Sequence, residues 1–174
     1  MTNYSHADVI FNFQSASLTP TEGSAFSTSD SITGQVVFNA VGDTTAKGFT
    51  LSVSGSPGFT FDVPDVTSAP MGTTINSNDF SWSGTSLQTW NLLVFGNVVG
   101  GANDEQLAIS STSFFGEFDA VNLDLAAPSG ASTASALSVG SFTAVPEPSS
   151  LFVCWLLGAT ALLRRRPSRI RSFA

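Results

Sequence analysis

Residues 31–64 read SITGQVVFNAVGDTTAKGFTLSVSGSPGFTFDVP. Ile32, Gly34, Val36, Phe38 and Ala40 alternate with mostly polar neighbours. Phe49, Leu51 and Val53 do the same, and so do Phe59, Phe61 and Val63 before Pro64. Successive strand side chains point to opposite faces, so a period of two gives each segment one apolar and one wet side. The breaks are turn-forming: Gly42-Asp43-Thr44-Thr45-Ala46-Lys47-Gly48, then Gly55-Ser56-Pro57-Gly58. Three one-sided strands joined by short loops predict antiparallel sheet.

The pattern extends in both directions. Val9, Phe11 and Phe13 form a row near the start. Phe80 and Trp82 mark a short strand broken at Gly84. Trp90, Leu92 and Val94 form the next row, with Leu93 and Phe95 on its other face, which predicts a central strand covered on both sides. Gly96-Asn97 and Gly100-Gly101 supply a loop. Leu107 and Ile109 follow, then Phe114, Gly116, Phe118 and Ala120, then Leu123 and Leu125. The Ser/Ala/Gly-rich stretch 126–135 reads as a connection, and Ala136 to Val145 as the last strand. No convincing amphipathic helix precedes the C-terminal tail. The reading is all-β: a β-sandwich or jelly-roll of about nine to ten strands over residues 8–144, followed by a short hydrophobic helix. No fixed-period repeat points to a propeller or β-helix.

Composition excludes several kinds of chemistry. The chain has 174 residues and a formal charge of −7, but the charge is unevenly spread. Residues 1–150 hold all thirteen acidic side chains against Lys47, a net of 1 − 13 = −12; residues 151–174 hold five arginines. An acidic body without arginine offers neither an electrostatic footprint for nucleic acid nor a clamp for phosphates. There is one cysteine, Cys154, and one histidine, His6, so an internal disulfide is ruled out and a Cys/His zinc site lacks ligands. No phosphate- or dinucleotide-binding glycine motif occurs, and no cofactor is expected.

The candidate site residues of the body each have a plainer reading beside the functional one. Glu117 and Asp119 are two apart and would share a strand face, as a glycosidase pair or as a solvated edge. Asp62/Asp65 and Asp104/Glu105 would lie in loops, as weak Ca²⁺ ligands or as surface charge. Trp82 and Trp90 would be a sugar-stacking platform or part of the core. The plain reading is preferred in each case.

The tail is the most specific feature. Val145-Pro146-Glu147-Pro148-Ser149-Ser150 is followed by the uncharged run Leu151–Leu163, which includes Leu151, Phe152, Val153, Trp155, Leu156, Leu157, Leu162 and Leu163. Arg164-Arg165-Arg166 come next. As a helix the run spans roughly 20 Å, short of the roughly 30 Å hydrocarbon core. The arginines would set topology by staying on the cytoplasmic side. Cys154 lies within the run and reads as a filler rather than a nucleophile.

Motif, short apolar run and basic cluster, in this order at 145–174, closely resemble the PEP-CTERM sorting signal of exported bacterial proteins. The resemblance implies recognition and cleavage near Pro146-Glu147-Pro148 by exosortase, a membrane protease. It further implies a transient stay in the inner membrane and then a place on the cell surface or in an extracellular matrix rich in exopolysaccharide. Export of this kind needs a leader. Ser5-His6-Ala7 has the small residues of a secretory cleavage site, so residues 1–7 read as the remnant of a truncated signal peptide.

The expectation is therefore an exported, non-enzymatic structural or adhesive β-sandwich. The alternative is a carbohydrate-binding module associated with extracellular polysaccharide. A glycosidase is the remotest of the three readings.

Overall fold

Alternating apolar residues can be buried only if a second layer covers them, and the chain supplies that layer from its own later strands. The computed structural model describes residues 8–96, 105–113, 116–123 and 131–146. Among the described residues eleven strands run in chain order: β1 (Val9–Gln14), β2 (Leu18–Glu22), β3 (Ile32–Phe38), β4 (Gly48–Val53), β5 (Phe59–Val63), β6 (Thr74–Ser83), β7 (Ser86–Gly96), β8 (Glu105–Ser110), β9 (Ala120–Leu123), β10 (Ser132–Ala136) and β11 (Ser141–Ala144). Among the described residues the helical structure is a single 3₁₀ turn, Val66–Ser68, capped by the Asp65 side chain.

Two antiparallel sheets result. One has the order β11-β1-β3-β4-β5 and the other β2-β10-β9-β8-β7-β6. Their apolar faces share one core, an arrangement consistent with a β-sandwich. Phe11, Phe13, Val36, Phe38, Leu51 and Phe61 come from the first sheet; Phe80, Leu92, Val94, Leu107, Ile109 and Val121 come from the second. Rings meet edge-on across the interface: Phe38 lies 5.0 Å from Phe80 and 5.1 Å from Trp82, and Phe142 lies 5.0 Å from Trp90. Such edge contacts add to the area they bury. At one end the sheets approach so closely that a Cβ on Gly96 would run into the Phe61 ring.

The β3–β4 loop also ties the sheets together. Asn78 Oδ1 accepts from the Ala46 amide at 2.9 Å, and its Nδ2 donates to the Ala46 carbonyl at 3.0 Å. Trp82 Nε1 donates to the Asp43 carbonyl at 2.7 Å. The outer faces carry polar cross-strand pairs such as Ser52–Thr60 at 2.8 Å and Ser81–Thr89 at 2.6 Å.

The structure departs from the sequence reading in four elements. β2 escapes the periodicity: Leu18 is its one buried residue and Pro20 lies within it, which an edge strand tolerates. β6 is ten residues long, not a short strand at Phe80, because its first half is a mostly polar edge. β7 is not central; it is next to the edge strand β6, and Leu93 and Phe95 are half-buried on the outer face. The stretch 126–135 is not wholly a connection. Its end forms β10, where Ala134 and Ala136 are small enough to pack inward, so the expected strand 136–145 divides into β10 and β11.

Residues 1–7, Asp104, Phe114, Leu125, Glu147, Pro148, Cys154, the apolar run Leu151–Leu163 and Arg164–Arg166 lie outside the described residues. So do the expectations placed on them, the C-terminal helix included. No helix among the described residues is long and apolar enough to cross a membrane.

Candidate functional site

The first feature of functional interest is the junction between body and tail. β11 pairs with β1 in the register Phe11↔Ala144 to Gln14↔Ser141. The Val145 amide then donates to the Ile10 carbonyl at 2.8 Å, the last bond of that ladder. Pro146 has no amide hydrogen to continue the ladder and is exposed. β11 itself is held by Phe142, whose ring lies 4.8 Å from Phe13 and 6.2 Å from Phe11. Of the residues expected to carry the sorting signal, those described are Val145, half-buried at the end of the sheet, and Pro146, just beyond it.

The second feature is a groove on the outer face of the six-stranded sheet. Strands β7, β8 and β9 are consecutive neighbours there, and their outward residues pair as Asn91↔Ser110, Leu93↔Ala108 and Ala108↔Ala120. Thr112, Ser113, Glu117 and Phe118 border this face and, with it, line a cavity of about 500 Å³. Leu93, Ala108, Phe118 and Ala120 give it apolar surface; Asn91, Gln106, Ser110 and Thr112 give amides and hydroxyls; Glu117 gives a carboxylate. A neighbouring hollow of about 270 Å³ shares Asn91 and Thr112 and reaches Asp79, Ser81 and Thr89 on the β6–β7 hairpin.

Sequence reasoning does not find this groove. Alternation puts Leu93 beneath a second layer and offers the tryptophans as the sugar platform only as the less favoured alternative to the core. The tryptophans take the preferred core reading: Trp90 is 9% exposed, and the half-buried Trp82 packs against the core, 5.5 Å from Phe11. The available signal is Leu93 and Phe95 on the polar side of an otherwise one-sided strand.

Glu117 and Asp119 do not share a face. Gly116 has a φ of 91°, in the left-handed region. Residues 117–119 bend before β9 begins, so strand parity is not kept between the two carboxylates. Glu117 lines the groove, while Asp119 points inward and is fully buried. Burial pushes the Asp119 carboxyl up to about 7, against the lowering effect of the Ser110 and Gly140 amides. The Ser110 amide donates to Oδ1 at 3.0 Å, whereas Oδ2 has no hydrogen-bond partner. Asp119 thus sits directly behind a strand that forms the groove.

The other acidic pairs are also redistributed. Glu105 is not in a loop: it is the first residue of β8, opposite Gly96 and Leu123, and fully buried. Asp62 lies on β5 and accepts from the Thr50 hydroxyl at 2.7 Å, while Asp65 caps the 3₁₀ turn. Among the described residues no group of three or more acidic, His or Cys side chains is placed to hold a metal ion. Lys47 is paired with Asp8 at 2.7 Å.

No protein-family model, curated protein or solved structure matches this chain.

Proposed function

We propose that the chain is an exported surface or extracellular-matrix protein whose non-enzymatic β-sandwich is delivered and released through its PEP-CTERM-like tail. In this reading Leu151–Leu163 form a short membrane helix, and Arg164, Arg165 and Arg166 hold its cytoplasmic end. A membrane protease of the exosortase type cuts near Pro146-Glu147-Pro148. One observation carries the reading: the sheet's last ladder bond is made by Val145, and the motif begins at the next residue. A cut at the motif leaves every strand of the body in place. Intact-mass measurement of the membrane and released fractions from the producing cell tests it. The released form is expected to end near residues 145–148, and a released form that still carries Arg164–Arg171 overturns the proposal.

A second reading, a carbohydrate-binding module held in exopolysaccharide, is favoured by the groove over β7, β8 and β9. Such modules need a concave face with apolar surface and a few convergent polar groups, and this groove has both.

A further inference from the structure

We propose that the groove binds a segment of a neutral polysaccharide and discriminates against polyuronates and other anionic glycans. The inference rests on the carbohydrate-binding reading and adds the ligand's class and the residues that select it.

A sugar ring has an apolar C–H face and a rim of hydroxyls that both donate and accept. The groove offers the complement. Phe118 and Leu93 supply apolar surface, and Asn91 and Gln106 carry amides that donate and accept. Glu117 carries a carboxylate, an acceptor whose hydrogen bonds from hydroxyls are charge-assisted. The groove crosses three strands, two spacings of about 4.8 Å, and the adjoining hollow carries it onto a fourth. A trough of that extent suits a stretch of polymer rather than a single ring.

Charge decides which polymer. Among the described residues no basic side chain lines the groove or the hollow. The body's one lysine, Lys47, precedes β4 in the other sheet and is held by Asp8. A uronate carboxylate placed here would face Glu117, with Asp79 in the adjoining hollow, and no cation among the described lining residues to offset its desolvation. A neutral chain meets no such cost.

The test uses the full-length chain in lauryldimethylamine oxide, a detergent without sugar groups. Calorimetric titration with cello-, malto- and mannohexaose is compared with hexagalacturonate. Saturable binding of at least one neutral hexasaccharide is expected, with hexagalacturonate at least about tenfold weaker. Phe118→Ala should weaken binding about tenfold, the scale of losing a central aromatic contact. Phe118 is half-buried, so Gln106→Ala serves as the second variant; it should weaken binding several-fold while the melting temperature stays unchanged. Thr60→Ala, on the outer face of the other sheet, should leave binding unaltered. The absence of saturable binding to any neutral hexasaccharide up to about 10 mM overturns both the inference and the reading beneath it. Binding that favours hexagalacturonate, or that neither groove variant alters, overturns the inference alone.

Discussion

Asp119 is a carboxyl in surroundings far from those its chemistry prefers. A buried carboxyl favours its neutral form, and here the native value is about 7 against 3.8 for the ordinary side chain. Where the folded state holds a proton that the unfolded state has lost, stability falls as pH rises. The contribution of Asp119 is thus complete below about pH 4 and lost as pH climbs to about 7; a difference of that size corresponds to roughly 4 kcal/mol. Two other carboxylates act in the opposite direction. Asp30 feels some desolvation, but hydrogen bonds from Ser27 and Ser54 leave it lowered overall; Asp65 is lowered by the Thr67 hydroxyl and amide. Their contributions are lost as pH falls below the ordinary carboxylate range. Stability should therefore peak on the acid side of neutrality, near pH 4–5. Denaturant melts across pH 3–8 measure this, and Asp119→Asn should flatten the decline between about pH 4 and 7. An unchanged slope in that variant would show that another group titrates. The sequence hides this residue behind a change of parity. The even-numbered row that ends at Phe118 and Ala120 gives way to an odd-numbered row at Asp119, Val121 and Leu123, and only the bend after Gly116 shows where the change falls.

Among the elements, β11 has the most structural effect for its length. It is four residues long and lies at a sheet edge, yet Phe142 reaches Phe11, Phe13, Phe80 and Trp90. Removing it exposes the flank of β1 and opens a space among those rings, a change on the scale of the roughly 3–5 kcal/mol lost when a large core aromatic is truncated. A chain ending after Pro146 should keep its β-rich circular dichroism and a cooperative melt. A chain ending after Gly140 should lose the cooperative melt or melt at a much lower temperature. Equal melts for the two would mean that β11 is dispensable. The strands that can be read from sequence are those with large residues on one face: β1, β3, β4 and β5 each alternate Phe, Val, Ile or Leu with polar residues. Those that cannot be read lack that contrast. β2 has one buried residue, β10 uses Ser and Ala where larger neighbours leave little room, and the first half of β6 is an edge. The groove stays hidden for a related reason, because alternation reports which residues face the core and not whether the opposite face is concave.

Taken whole, the body carries thirteen negative side chains and one lysine up to residue 150, and that lysine is already paired. Compacting so many like charges opposes folding, and salt screens the repulsion; the Debye length shortens from about 30 Å at 0.01 M to about 8 Å at 0.15 M. The melting temperature at pH 7 should therefore rise with sodium chloride over that range, and a fall would mean that attractive pairs dominate instead. The sheet order has a further consequence, one of timing. β11 is the last strand of the body to be synthesised and its partner β1 the first. As the chain emerges, β1 must wait with one edge bare through all the intervening residues. The sheet is complete only when the segment directly ahead of Pro146 has come free. Under the proposed processing, a cut near Pro146 after that docking would free a body whose outermost strand there is the four-residue β11, whereas a cut before it would free one that still presents the six-residue flank of β1, a longer template for pairing with another chain. On that reading the rate of cleavage relative to the docking of one short strand would decide between a dispersed product and an associated one.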